Sequence, residues 1–202
     1  MIDVRLAEVP GIMRTETVDT MTMVRLPDER SARTKLVELR GIQDAFPFYG
    51  HFQLGGGQLY SPALLEDHGA LVAPDLLAQL ELDIGDEITI GETRFTIRNV
   101  ILTEPGRRLG AFSFGPRVLV AYDTVEEAGL LNVASRADRQ ILVKVDEAQI
   151  DPLVNRLQED LADTSVRVHS YRRTENRVER SAFGRADLQE SGHYAAVEFV
   201  HQ

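Results

Sequence analysis

The sequence predicts an α+β fold, and three observations predict it. Residues 13–26 alternate in the manner of a strand and are followed by a second alternating run to residue 42. A strand–helix–strand–strand pattern begins at residue 69, and a strand–helix–strand pattern covers 139–173. At 202 residues the chain suffices for one domain, or for two small ones that share a backbone crossing.

The elements follow in order. IDVRLAEVP is a scrap of helix or extended chain that Pro10–Gly11 stops. In IMRTETVDTMTMVRLP, the residues Met13, Thr15, Thr17, Asp19, Met21 and Met23 fall on one side, with Val18, Thr22 and Val24 on or beside the other. The segment Asp28–Ser31 turns the chain into RTKLVELRGI, where Leu36, Glu38 and Arg40 alternate with Val37, Leu39 and Gly41. Together these predict an antiparallel hairpin. The aromatic turn Phe46-Pro47-Phe48-Tyr49-Gly50 leads into HFQL and then Gly55-Gly56-Gly57, which reads as a hinge.

From residue 69 the pattern changes. Pro74 suits the first turn of a helix with Leu76, Leu77, Leu80 and Leu82 on its apolar face. Turns at Gly85–Asp86 and Gly91–Glu92 bracket EITI, and TRFTIRNVIL alternates Phe95, Ile97 and Val100. RVLVA (117–121) is a buried type of strand, and Asp123 is placed to cap the short helix after it. RQILVKV is a strand, AQIDPLVNRLQEDLAD a helix with Ile150, Leu153, Val154, Leu157 and Leu161 on one face, and VRVHSYRR a strand again. RTENRVERSAFGRADLQESG is polar and helix-tolerant, and HYAAVEFVHQ reads as a terminal strand.

Composition excludes several functions. With 32 acidic against 22 basic residues the net charge is −10, which argues against nucleic acid or an anionic membrane surface as partner. There is no cysteine, hence no disulfide, thiolate metal site or cysteine nucleophile. No run approaches the ~18 apolar residues that cross a bilayer, and MIDVRLAEVPG has no signal-peptide core. Taken alone the chain is expected to be soluble, which is compatible with an excised piece of a membrane protein.

The stretch EPGRRLGAFSFGPRVLVA gathers Gly106, Gly110 and Gly115 with Arg107, Arg108 and Arg117. Its glycine spacing fits neither GxxxxGK[ST] nor GxGxxG, so it reads as a structural or interaction loop, with a small-anion site as the alternative. Its arginines have three roles open to them: to face solvent, to pair with Glu104, or to hold the loop against the sheet. His51, His68, His169, His193 and His201 are scattered, without metal-ligand spacing. No serine sits in GxSxG, and pairs such as Glu126–Glu127 and Glu159–Asp160 read as solvated helix faces. The expectation is a non-enzymatic protein with no catalytic residue, cofactor or metal. Two aromatic clusters, Phe46, Phe48 and Phe52 and then Phe112 and Phe114, read as a small shared core, with an apolar patch for a lipid-like or protein ligand as the alternative. Arg107, Arg108, Phe112, Phe114 and Arg117 make up the candidate interaction loop.

The ordered segments LVAPDLLAQLELDIGDEITIGETRFTIRNVILTEPG, GAFSFGPRVLVAYDTVEEAGLL and SRADRQILVKV resemble the extracytoplasmic (periplasmic core) domain of ABC-transporter permeases of the MacB/FtsX/LolC type, YbbP-like branch. The resemblance covers about residues 13–175. It implies a two-lobed domain on the periplasmic or extracellular face of the cytoplasmic membrane, membrane-anchored in the full-length protein. One lobe would be an α/β sandwich built from both chain ends (1–55 and 139–180) and the other an inserted β-rich lobe (56–138), with 181–202 as a tail. Its implied partners are a cytoplasmic ABC ATPase, a second permease copy, and a lipid-like, lipoprotein or peptide substrate. Its implied role is to transmit the ATPase cycle mechanically. Only IDVRLAEVPG stands where relatives have a strand and longer helix, so HYAAVEFVHQ is expected to add a strand to a depleted sheet.

Overall fold

The computed structural model describes residues 11–27, 33–105, 115–131, 137–164, 166–170 and 194–199. Ten strands and three α-helices lie among them. The strands are β1 (Met13–Arg25), β2 (Thr34–Ile42), β3 (Gln53–Leu54), β4 (Gly69–Val72), β5 (Glu87–Ile90), β6 (Thr93–Thr103), β7 (Arg117–Ala121), β8 (Ala137–Lys144), β9 (Val166–Ser170) and β10 (Tyr194–Phe199). The helices are α1 (Pro74–Leu80), α2 (Tyr122–Glu127) and α3 (Glu147–Asp160). Contacts divide the chain into two compact units, Thr17–Ala137 and Met1–Glu16 with Asp138–Gln202. The first crossing between units therefore falls inside β1, and the second at the start of β8.

The Thr17–Ala137 unit is a closed six-stranded barrel. Its strand order is β2-β7-β4-β6-β5-β1, and β1 pairs with β2 to complete the ring. The β2–β7 and β4–β6 pairs are parallel; β1–β2, β1–β5, β4–β7 and β5–β6 are antiparallel. Each of the six strands sends two apolar side chains inward: Val18 and Val24, Val37 and Leu39, Ala70 and Val72, Ile88 and Ile90, Phe95 and Ile97, Val118 and Val120. Leu76 and Leu80 of α1 and Val125 of α2 join the same core. Period-two alternation accounts for the choice, because a one-residue slip would turn every one of these side chains outward.

The hairpin expected at residues 13–42 is present, with nine paired positions from Thr17↔Ile42 to Arg25↔Thr34. Pro74 stands at the start of α1 as expected. Asp123 does not cap α2: Ala121 is the N-cap, and Asp123 lies in the first turn, where its charge favours the positive helix end. The triple glycine is not at a crossing between units. Gly55–Gly57 is a single 3-10 turn inside the barrel unit, with Gly56 and Gly57 at φ of 67° and 71°. A Cβ on Gly55 would stand 2.5 Å from a Val100 methyl, so close approach and left-handed backbone account for the glycines.

In the other unit β10 runs antiparallel to both β8 and β9, in the order β1-β8-β10-β9. Strands β8 and β9 consequently run parallel, with α3 as their crossover and β10 inserted between them. Residues 194–199 thus add a strand to the sheet, as their sequence predicts. Ile141, Val143 and Val145 meet Ile150, Leu153, Val154 and Leu157 of α3 in a second core, completed by Leu161 and Val168.

Phe95 is 1% exposed at the centre of the barrel core, and its truncation to alanine is expected to cost about 3–5 kcal/mol. Truncation of Leu102, 58% exposed, should stay within about 0.5 kcal/mol. Urea unfolding of the two variants checks the contrast.

Candidate functional site

Charged residues converge on the outer face of the barrel, above β2. Alternation points Val37, Leu39 and Gly41 inward, which turns Glu38 and Arg40 outward. The same rule turns Asp19 outward from β1 and Arg117 outward from β7. Register then completes the arrangement: Asp19 stands opposite Arg40 across β1–β2, and Arg117 opposite Glu38 across β2–β7. Glu104 follows the end of β6 and is 1% exposed at its side chain.

Two guanidiniums and three carboxylates interlock here. Arg40 Nε donates to Asp19 Oδ1 at 2.8 Å, and its Nη2 donates to Asp19 Oδ2 at 2.7 Å, a two-pronged contact. Its Nη1 donates to Glu104 Oε1 at 2.6 Å. Arg117 Nη1 donates to Asp19 Oδ1 at 2.9 Å, across a sequence separation of 98 residues. Arg117 Nε lies 3.1 Å from Glu104 Oε2, in charge contact, yet neither atom has a hydrogen-bond partner. The pair is therefore close but off-line. Arg117 Nη2 lies 3.9 Å from Glu38. Burial works against the Arg40 charge, but hydrogen bonding and charge contact with Asp19, then with Glu104, outweigh it and raise the guanidinium pKa.

Chemically this is an ion-paired tie. Each cation faces carboxylates at contact distance, and the cluster holds β1, β2, β7 and the exit of β6 together. Of the three roles open to the arginines, Arg117 takes the pairing with Glu104. Its side chain is 9% exposed, so it does not stand toward solvent. Arg107, Arg108, Phe112 and Phe114 lie outside the described residues. Glu104 and Arg117 stand on either side of that stretch in the chain. Gly115 at its end is set by proximity: a Cβ there would lie 2.5 Å from the Leu36 carbonyl oxygen. The Glu38 amide donates to the Pro116 carbonyl at 3.0 Å, seating the chain on β2.

The first aromatic cluster packs within the barrel unit. Phe46 and Phe52 are buried, with ring centroids 6.0 Å apart, and Phe52 lies 4.6 Å from Tyr60. Burial, with Asp44 nearby, pushes the Tyr60 phenol up to about 12. Asn99 secures the neighbouring turn, donating to Gln58 Oε1 at 2.6 Å and to the Gly55 carbonyl at 3.3 Å. His68 contacts Glu127 at 3.0 Å and meets Phe95 edge-on at 5.8 Å. Among the described residues no group of three or more His, Asp or Glu stands together to hold a metal ion.

Sequence reasoning missed Asp19, Glu38 and Arg40. A weak signal was present in LVELRGI, where two charges two residues apart alternate with core apolar residues. Alternation places them outside without naming what they meet.

One unit holds a closed barrel and the other a strand–helix–strand sheet, which makes the chain an α+β protein, and its sequence assigns the family. The MacB-like periplasmic core domain family matches residues 1–160, and the chain belongs to that family, the extracytoplasmic part of an ABC transporter permease. It is 28% identical over 118 residues to the uncharacterized ABC transporter permease YbbP of Escherichia coli (strain K12). That match covers 58% of this chain and 14% of the permease, so the chain spans a small part of its relative's length. The fold is similar to the extracellular domain of the noncanonic ABC-type transporter YknZ from Gram-positive bacteria, with a TM-score of 0.52 and 12% identity over 79% of this chain and 81% of that one. It is also similar to the periplasmic region of MacB from Actinobacillus actinomycetemcomitans, with a TM-score of 0.50 and 12% identity over 90% and 82%. Among the described residues no helix is long and apolar enough to cross a membrane.

Two outcomes follow from the site. Arg117→Met leaves buried carboxylates short of a partner and is expected to cost about 3–5 kcal/mol. Arg33→Met, which breaks the exposed pair with Glu81, should cost no more than about 1 kcal/mol in the same urea experiment. For Tyr60 the folded pKa of about 12 exceeds the unfolded value of about 10. Its contribution to stability is therefore complete below about pH 10 and lost as pH rises through about 12. Ultraviolet titration should show a late-ionising component that Tyr60→Phe removes; a Tyr60→Phe difference titration centred near 10 would contradict it.

Proposed function

We propose that this domain is a non-enzymatic lever, coupling the cycle of a cytoplasmic ABC ATPase to the handling of a substrate or partner protein outside the membrane. In the full-length permease its partners are that ATPase and a second permease copy. The substrate is lipid-like, a lipoprotein or a peptide. Membership of the periplasmic core domain family supports the setting. The observation that carries the lever reading is the division into two compact units, each with its own core, traversed by the chain at Glu16–Thr17 and Ala137–Asp138.

Units with independent cores can reorient with few broken contacts, whereas a single packed core resists deformation. The charge cluster supports the same reading, because it ties three barrel strands and the β6 exit into one rigid body. Its carboxylates are occupied by arginines, an arrangement suited to cohesion rather than to proton transfer. With Arg117 engaged, the anion-binding alternative would rest on Arg107 and Arg108.

The chain has no cysteine, so within this domain labels attach only where a cysteine is introduced, once any cysteines elsewhere in the permease and ATPase have been replaced. Leu59→Cys, at an 85% exposed position of the barrel unit, and Asn155→Cys, at an exposed position of α3, would carry spin labels in the full-length permease with its ATPase. The inter-label distance distribution is expected to shift between nucleotide-free and ATP-bound states. An identical distribution in every nucleotide state would sink the lever.

A further inference from the structure

We propose that Met21 and Met23 are a methionine-oxidation site, at which a peroxide converts an exposed apolar row of the barrel into a polar one without disturbing the core. The chain contains four methionines, Met1, Met13, Met21 and Met23, and no cysteine, so thioethers are its only sulfur. Methionine is usually a core gap-filler. Here the three described ones all lie on β1 and are exposed, Met13 by 50%, Met21 by 41% and Met23 by 47%.

The register explains the exposure. Val18 and Val24 of β1 point into the barrel, so Met21 and Met23 point away from it. Met23 stands directly opposite Leu36, itself 45% exposed, and Met21 opposite Glu38. Opposed residues of an antiparallel pair share a face, so Met21, Met23 and Leu36 form a contiguous apolar row beside the Asp19–Arg40 pair. A domain outside the cytoplasm meets diffusible peroxides directly. Solvent-exposed thioether sulfur is where they react.

The step balances with hydrogen peroxide as the only co-reactant. A sulfur lone pair attacks one peroxide oxygen, the O–O bond breaks, and hydroxide departs. The proton on the transferred oxygen passes to that hydroxide, leaving a sulfoxide and one water. Sulfur loses two electrons and the peroxide gains them. A sulfoxide is polar and is reversed by methionine sulfoxide reductases, so the row can be switched and restored. Because neither side chain contributes to the barrel interior, the switch creates no buried polar group.

The test uses the full 202-residue chain and hydrogen peroxide. Trypsin cleavage after Arg14 and Arg25 places Met21 and Met23 on one peptide and Met13 on another. Mass spectrometry over time should show Met21 and Met23 each gaining one oxygen at a rate comparable to free methionine in the same tube. Retention on a hydrophobic-interaction column should fall in step, the urea midpoint should stay unchanged, and the two epimer-specific sulfoxide reductases together, supplied with a dithiol that leaves as its disulfide while the oxygen leaves as water, should restore both mass and retention. The Met21→Leu/Met23→Leu variant should lose clearly less retention under peroxide than the unaltered chain, although Met13 still oxidises. Oxidation much slower than that of free methionine, an equal retention loss in the variant, or unfolding on oxidation would each overturn the proposal.

Discussion

Strand β1 pairs with β2 along nine positions and with β5 through Val24 and Arg25, and this double pairing turns six strands into a closed barrel. Closure removes the exposed strand edges of the ring and gives every strand one interior face. The inward pairs from all six strands, the seating of α1 and α2, and the outward direction of the charged residues all depend on it. Without the β5 contact the ring would open between β1 and β5, and half of the alternation in the sequence would have nothing to pack against.

The charge cluster is the outward consequence of that closure. Burying Val118 and Val120 of β7 obliges Arg117 to leave on the other face, and burying Val37 and Leu39 does the same for Glu38 and Arg40. Three charged strands brought side by side would repel or desolvate one another at some cost if their signs did not match. They do match. Asp19 takes both arginines, and the buried Glu104 completes the set from the end of β6. The result binds together segments of the barrel unit that lie far apart in sequence.

Much of the fold was legible in advance, for a physical reason that differs from element to element. The hairpin, the Pro74 helix, the amphipathic α3 and the strand RVLVA were readable because their signals are local, carried by side-chain period and backbone restriction. The terminal strand was readable for the same reason. Asp123 misled because a good capping residue near a helix start says little about which residue begins the helix. The glycines at 55–57 misled in another way. Flexibility in an unfolded chain and close approach or left-handed backbone in a folded one all call for glycine, and only Val100 and Asn99 packed against Gly55, with the positive φ of Gly56 and Gly57, distinguish them.

By itself, then, the sequence determined most element types, the inward and outward faces of the alternating strands β1, β2 and β6, the absence of sulfur chemistry based on thiols, and the family to which the segments from 69 to 145 point. Tertiary structure alone decided that the ring closes, that the crossings between units fall at Glu16–Thr17 and Ala137–Asp138, and that Arg117 is spent on Asp19 and Glu104. Alternation is a property of neighbours along the chain. Pairing is a property of neighbours in space, and a contact across 98 residues has no counterpart in any local pattern.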